Sequence, residues 1–152
     1  MRFGIIGCGL VAQVMHIPYL AELPEAELHA FADPAEGRAE TLADRYNVPH
    51  VYAGHEDLLA EAGDDLDAVV VLTPSHTHAD VAVDALDAGV NTLVEKPIAT
   101  SLEDADRMVE AAEASDATAM VAYMKRYDPS YERAQEVVDD LEEIDLVTAY
   151  DV

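Results

Sequence analysis

Phe3-Gly4-Ile5-Ile6-Gly7-Cys8-Gly9-Leu10-Val11-Ala12 reads as a short buried strand that runs into Gly-x-Gly-x-x-Ala and on into a helix. Each small residue has a separate task. Gly7 allows a tight turn, Gly9 lets backbone approach a pyrophosphate with no Cβ in the way, and Ala12 lets the helix pack closely on the strand. A diphosphate would then rest on the free N–H groups from Gly9 through Leu10 and Val11, where the helix dipole favours an anion. The turn alone is a weak signal, because a dinucleotide site also requires an acid about 20 residues further on, at the end of the second strand. Asp33 meets that requirement, 24 positions beyond Gly9 and directly after the strand read over Glu27–Ala32. Its carboxylate suits the two ribose hydroxyls of an adenosine. It also suits a helix N-cap, since Asp33-Pro34-Ala35-Glu36 is a good helix start, and the two roles are compatible.

Outward from this turn, strands and helices alternate. The first helix is expected over Leu10–Glu22, the second over Glu36–Tyr46, a short strand at Val51-Tyr52 and a short helix over Asp57–Ala62. Asp67 to Thr73 is a near-continuous apolar run, the pattern of a parallel strand covered on both faces. A helix over His76–Ala88 with Gly89 as its C-cap, a strand over Asn91–Glu95, a helix opened by a capping pattern at Thr100 or Ser101, and a strand over Ala117–Tyr123 follow. The helix after Ser101 would turn Ala105, Met108, Val109 and Ala112 to the core, and a last helix after Asp128-Pro129 would turn Ala134, Val137, Val138 and Leu141 inward. This succession predicts an α/β fold, a Rossmann-type doubly wound parallel sheet with strand order 3-2-1-4-5-6. Residues 1–123 form the dinucleotide-binding domain, and 124–152 a crossover helix followed by a strand-like run at Asp145–Val152.

Composition narrows the function classes. The 152 residues carry 32 acidic and 8 basic side chains, a formal net charge of −24, yet 51% are hydrophobic. A chain that apolar buries a core, so the charge does not signal disorder. The acids are spread over every helix and loop, which argues for a whole surface adapted to high salt and against an acidic patch built for one basic partner. Nucleic acid is excluded as a partner by repulsion. No membrane span and no signal peptide is legible, so the expected compartment is cytoplasmic. The single cysteine, Cys8, forms no internal disulfide and reads as a small filler of the turn.

In a doubly wound sheet the ligand lies beyond the carboxyl ends of the strands. There the chain places Thr73-Pro74-Ser75-His76-Thr77-His78, then Glu95-Lys96-Pro97, then Lys125-Arg126-Tyr127-Asp128. Only two lysines are present, Lys96 and Lys125, and both fall at such ends. Oxidising a carbinol needs a hydride acceptor on one side of the carbon and a proton acceptor on its oxygen. A lysine serves as that acceptor where burial and a neighbouring cation disfavour the ammonium form. The competing role for Lys96 is a salt bridge to Glu95 or Asp128. His78 either contacts the cofactor or is held by hydrogen bonds as part of the framework.

The glycine turn, Thr73-Pro74 to His78, Ala85-Leu86-Asp87-Ala88-Gly89 and above all Glu95-Lys96-Pro97-Ile98-Ala99 resemble the N-terminal half of the glucose-fructose oxidoreductase, inositol dehydrogenase and rhizopine-catabolism (Gfo/Idh/MocA) family. The resemblance covers essentially the whole chain. It implies an NAD(P)-dependent oxidoreductase acting on a sugar or polyol, with Lys96 as acid/base or substrate-orienting residue and Glu95 as its positioning partner. It further implies that Thr73 and Pro74 line the nicotinamide side and that Arg126 and Tyr127 face the substrate entry. Asp33 favours NAD over NADP, whereas Arg38, one helical turn on, could cover the adenine or reach a 2′-phosphate. The resemblance also implies a following α/β substrate domain that makes oligomer contacts, so the chain is expected to be a fragment, a truncated gene product or an isolated cofactor domain, with a homo-oligomer possible. A different class of function remains open, a stand-alone NAD-binding regulatory or sensing module without turnover.

Overall fold

A computed structural model describes residues 1–139. Its strands are β1 (Arg2–Ile6), β2 (Glu27–Ala32), β3 (His50–Tyr52), β4 (Ala68–Val71), β5 (Asn91–Val94) and β6 (Ala119–Val121). They form one parallel sheet in the order β3-β2-β1-β4-β5-β6. The helices are α1 (Ile17–Glu22), α2 (Arg38–Tyr46), α3 (His55–Ala62), α4 (His78–Asp87), α5 (Leu102–Ala114) and α6 (Pro129–Asp139). The chain divides into two compact units, Met1–Ala122 and a second that begins at Tyr123.

The central strands are apolar at consecutive positions because both faces of the sheet are covered. Ile5, Phe31 and Val70 pack on one face with Ile17 of α1 and Ala39, Leu42 and Ala43 of α2. Ile6, Ala30, Ala32, Val69 and Val71 pack on the other with Leu58 of α3, Ala82 and Ala85 of α4 and Met108 of α5. The switch in winding direction falls between β1 and β4, and it opens a crevice at their carboxyl ends.

The elements correct the sequence reading in several places, the last helix included, whose Ala134, Val137 and Val138 are exposed. The first helix spans residues 10–22 as expected but is not α throughout: a π-helical turn over Ala12–His16 interrupts it, closed by the Ile17 N–H donating to the Ala12 carbonyl five residues back. The second helix starts at Arg38 and not at Glu36, because Gly37 takes a left-handed φ of 75° immediately before it. Asp33 therefore does not cap that helix; its Oδ1 accepts the Ala35 N–H at 2.8 Å in a local turn. In α5 the core face is carried by Met108 and Ala111, while Val109 is exposed. Of the two capping patterns there, Ser101 is the one used, its Oγ accepting the Asp104 N–H at 3.1 Å. Leu141 and the strand-like run at 145–152 lie outside the described residues.

Candidate functional site

The glycine turn is built by contacts that its neighbours cannot vary. Gly7 has φ +94° and donates its N–H to the Ala32 carbonyl at 2.8 Å. A Cβ there would stand 2.7 Å from the Leu72 carbonyl carbon, so β1 and the end of β4 meet backbone to backbone. At Gly9 the opposite holds: a Cβ there would meet no atom within 4 Å, so the space it leaves faces outward. The first helical carbonyl to be used is that of Gly9, by the Gln13 N–H at 3.1 Å. The preceding amides stand at the open helix N-terminus, where an anion completes them. Between the glycines Cys8 is fully buried, and burial first, then the nearby Asp33 carboxylate, pushes its thiol up to about 12. A thiol so held stays protonated and is no nucleophile.

Asp33 staples the turn to β2. Its Oδ2 accepts the Cys8 N–H at 2.8 Å, and Arg38 Nη1 donates to both carboxylate oxygens at 3.3 Å. The carboxylate is almost wholly shielded from solvent, whereas the guanidinium is half exposed. Around them lies a cleft of about 730 Å³ lined by Gly7, Gly9, Leu10, Val11, Asp33, Arg38, Thr73 and Pro74. It also takes in Ala53, Gly54, His55 and Glu56, a group the sequence reading missed. They follow β3 at its carboxyl end, and the rule that ligands sit beyond strand ends names them. His55 there faces Asp84 Oδ2 at 2.9 Å through Nε2 and Glu56 Oε2 at 3.2 Å through Nδ1.

The Glu95-Lys96-Pro97 segment follows β5 and is held by its neighbours on both sides of Lys96. Glu95 Oε2 accepts the Lys96 backbone N–H at 2.8 Å, and its Oε1 lies 3.0 Å from His16 Nε2. His78 is buried, with Nδ1 2.8 Å from the Pro97 carbonyl oxygen and Nε2 3.0 Å from that of Thr73. A neutral ring donates to one of these oxygens and an imidazolium to both. Both ring nitrogens are thus engaged by the framework, tying the loop after β4 to the loop after β5. Lys96 is exposed, and among the described residues no carboxylate lies within ion-pair distance of its ammonium. Asp128, the other partner considered for it, lies 3.8 Å from Lys125 Nζ and accepts the Ser130 N–H at 2.9 Å. Arg126 sits in the second unit on a 3₁₀ turn over Met124–Tyr127 and is exposed. Among the described residues no three His, Cys, Asp or Glu side chains could hold a metal ion, and no helix is long and apolar enough to cross a membrane.

The open space at Gly9, the unpaired amides after it and the acid closing β2 fit a dinucleotide. A family model described as an oxidoreductase family with an NAD-binding Rossmann fold matches residues 1–123. The chain belongs to the Gfo/Idh/MocA family. This Gfo/Idh/MocA chain is 37% identical over 138 residues to D-xylose 1-dehydrogenase (NADP(+)) 2 of Haloferax volcanii, covering 91% of this chain and 42% of that protein. It is 30% identical over 139 residues to scyllo-inositol 2-dehydrogenase (NAD(+)) of Bacillus subtilis, covering 91% and 40%. The crystal structure of scyllo-inositol dehydrogenase from Lactobacillus casei, with bound NAD(H) and scyllo-inositol, matches with a TM-score of 0.84 at 25% identity, over 91% of this chain and 41% of that one. The chain thus spans about two fifths of the length of the curated relatives it matches.

Proposed function

We propose that this chain is the cofactor-binding part of an NAD(P)-dependent dehydrogenase that moves a hydride between nicotinamide and a carbinol carbon of a sugar or polyol. The observation that carries the reading is the cleft around Gly9 and Asp33, open where a diphosphate needs room and acidic where a ribose needs acceptors. When bound, the dinucleotide supplies the hydride acceptor. The amides from Gly9 to Val11 hold its diphosphate, and the loop at Thr73 and Pro74 backs the nicotinamide side. Lys96 takes the proton from the carbinol oxygen during oxidation and returns it during reduction. Glu95 acts on Lys96 through the backbone and not as an ion pair. Residues 1–123 are its cofactor-binding domain.

Asp33 favours NAD, because its carboxylate accepts hydrogen bonds from a ribose diol and repels a 2′-phosphate. Arg38 already neutralises that carboxylate, so it is the residue through which NADP would be tolerated. The acidic surface suits a cytoplasm at high salt. Calorimetry with NAD and NADP tests the reading. NAD binding that is lost in Gly9→Ala is expected; tighter binding of NADP overturns the cofactor preference, and no binding of either overturns the function.

A further inference from the structure

The contact between His16 and Glu95 joins residues 79 positions apart, and His16 ends a turn that departs from α geometry. In an α-helix, five positions at about 100° each leave two residues on different sides. Yet Ala12 and Ile17 are both fully buried against the same face of the sheet. The i→i+5 turn between them reconciles the two, and such turns recur at functional sites. Its last residue, His16, meets Glu95 in the loop after β5.

We propose that His16 is a positioning residue for Lys96, acting through Glu95; this rests on the reading of Lys96 as the proton-transfer group. Both partners are largely shielded, with side-chain exposures of 18% for His16 and 15% for Glu95, so water competes little for the contact. Glu95 uses one oxygen for His16 and the other for the Lys96 N–H, so fixing the carboxylate fixes the peptide from which the Lys96 side chain springs. With both oxygens so engaged, Glu95 makes no ion pair with the Lys96 ammonium. Without His16 the Glu95 carboxylate is released to pair with Lys96, which would draw the amine off the substrate oxygen. His78 holds the Pro97 carbonyl, so Lys96 is anchored on both sides while its own ammonium has no ion-pair partner among the described residues.

The test exploits the scarcity of amines. Reductive ¹³C-methylation of the chain labels Met1, Lys96 and Lys125 only, and Lys96→Arg and Lys125→Arg assign the signals. Addition of NAD is expected to shift the Lys96 resonance and leave Lys125 in place. In His16→Ala the NAD-induced shift of Lys96 should collapse while the Kd for NAD stays within about threefold. His16→Gln should restore the shift, because its amide N–H donates to Glu95. A shift that survives His16→Ala overturns this inference alone. So does a collapse accompanied by loss of NAD binding, which would make His16 a support of the cofactor turn. A wild-type Lys96 resonance that NAD leaves unmoved, with NAD bound, would remove the reading of Lys96 itself.

Discussion

Two glycines of one turn predict opposite outcomes for the same substitution. Gly7→Ala drives a Cβ into the backbone of Leu72 at a φ that disfavours any side chain, so it should lower stability by about 2 kcal/mol or more, read as a fall in Tm. Gly9→Ala meets nothing within 4 Å and should leave Tm nearly unchanged, while NAD titration shows affinity lost because the methyl occupies the diphosphate's approach. A Tm loss for Gly9→Ala equal to that for Gly7→Ala would remove the distinction. Asp33→Asn makes a third case: the amide oxygen can still accept the Cys8 N–H, but the charge opposite Arg38 is gone. The ratio of NAD to NADP affinity should move toward NADP, and an unchanged ratio would show that Asp33 does not set it. Gly7, Gly9 and Asp33 were legible in the sequence because turn geometry and the acid's spacing are local demands on residue type. His16 was not, since its place depends on a π-helical turn that the 3.6-residue period does not announce. His55 escaped notice for a different reason: β3 is only three residues long, and its carboxyl end makes little impression in a hydropathy pattern.

At the scale of elements, α5 shows what a capping residue adds. Ser101 Oγ accepts the Asp104 N–H and donates to Asp104 Oδ2 at 2.8 Å, and Arg107 joins Asp104 to Asp80 of α4 at 3.0 and 2.9 Å. The Ser101 hydroxyl first, and Arg107 second, hold the Asp104 carboxyl below its ordinary value. The folded state therefore binds this proton less tightly than the unfolded chain. Its contribution is present above the usual carboxylate range and lost as pH falls through the lowered value. Ser101→Ala should cost about 1 kcal/mol in urea unfolding at neutral pH and flatten that acid limb. An acid limb unchanged by the substitution would refute the coupling. The strand order could be read ahead of the structure because long apolar runs joined by short connections admit few topologies. Boundaries were less legible: Asp33-Pro34-Ala35-Glu36 has the residues of a helix start, but Gly37 in a left-handed conformation delays the helix to Arg38. Val109 was assigned to the core by its spacing and is exposed, because α5 presents a stripe centred on Met108 and Ala111.

For the molecule as a whole, the net charge of −24 sets the dependence on salt. Counterions screen both the repulsion among surface carboxylates and that between them and an anionic dinucleotide. Tm and NAD affinity should both rise from low salt to molar KCl, and a Tm that stays flat over that range would remove the high-salt reading. The buried thiol has a consequence of another kind. Cys8 is the one cysteine of the chain, and it is sealed beneath the turn proposed to grip the diphosphate. A thiol reagent can reach it only when β1 and its turn part, so labelling acts as a stopwatch for that opening. Where labelling follows the equilibrium population of the open form, a ligand bound only to the closed form slows it by the factor 1 + [L]/Kd. The rate would then rank dinucleotides by affinity, with no substrate and no turnover required.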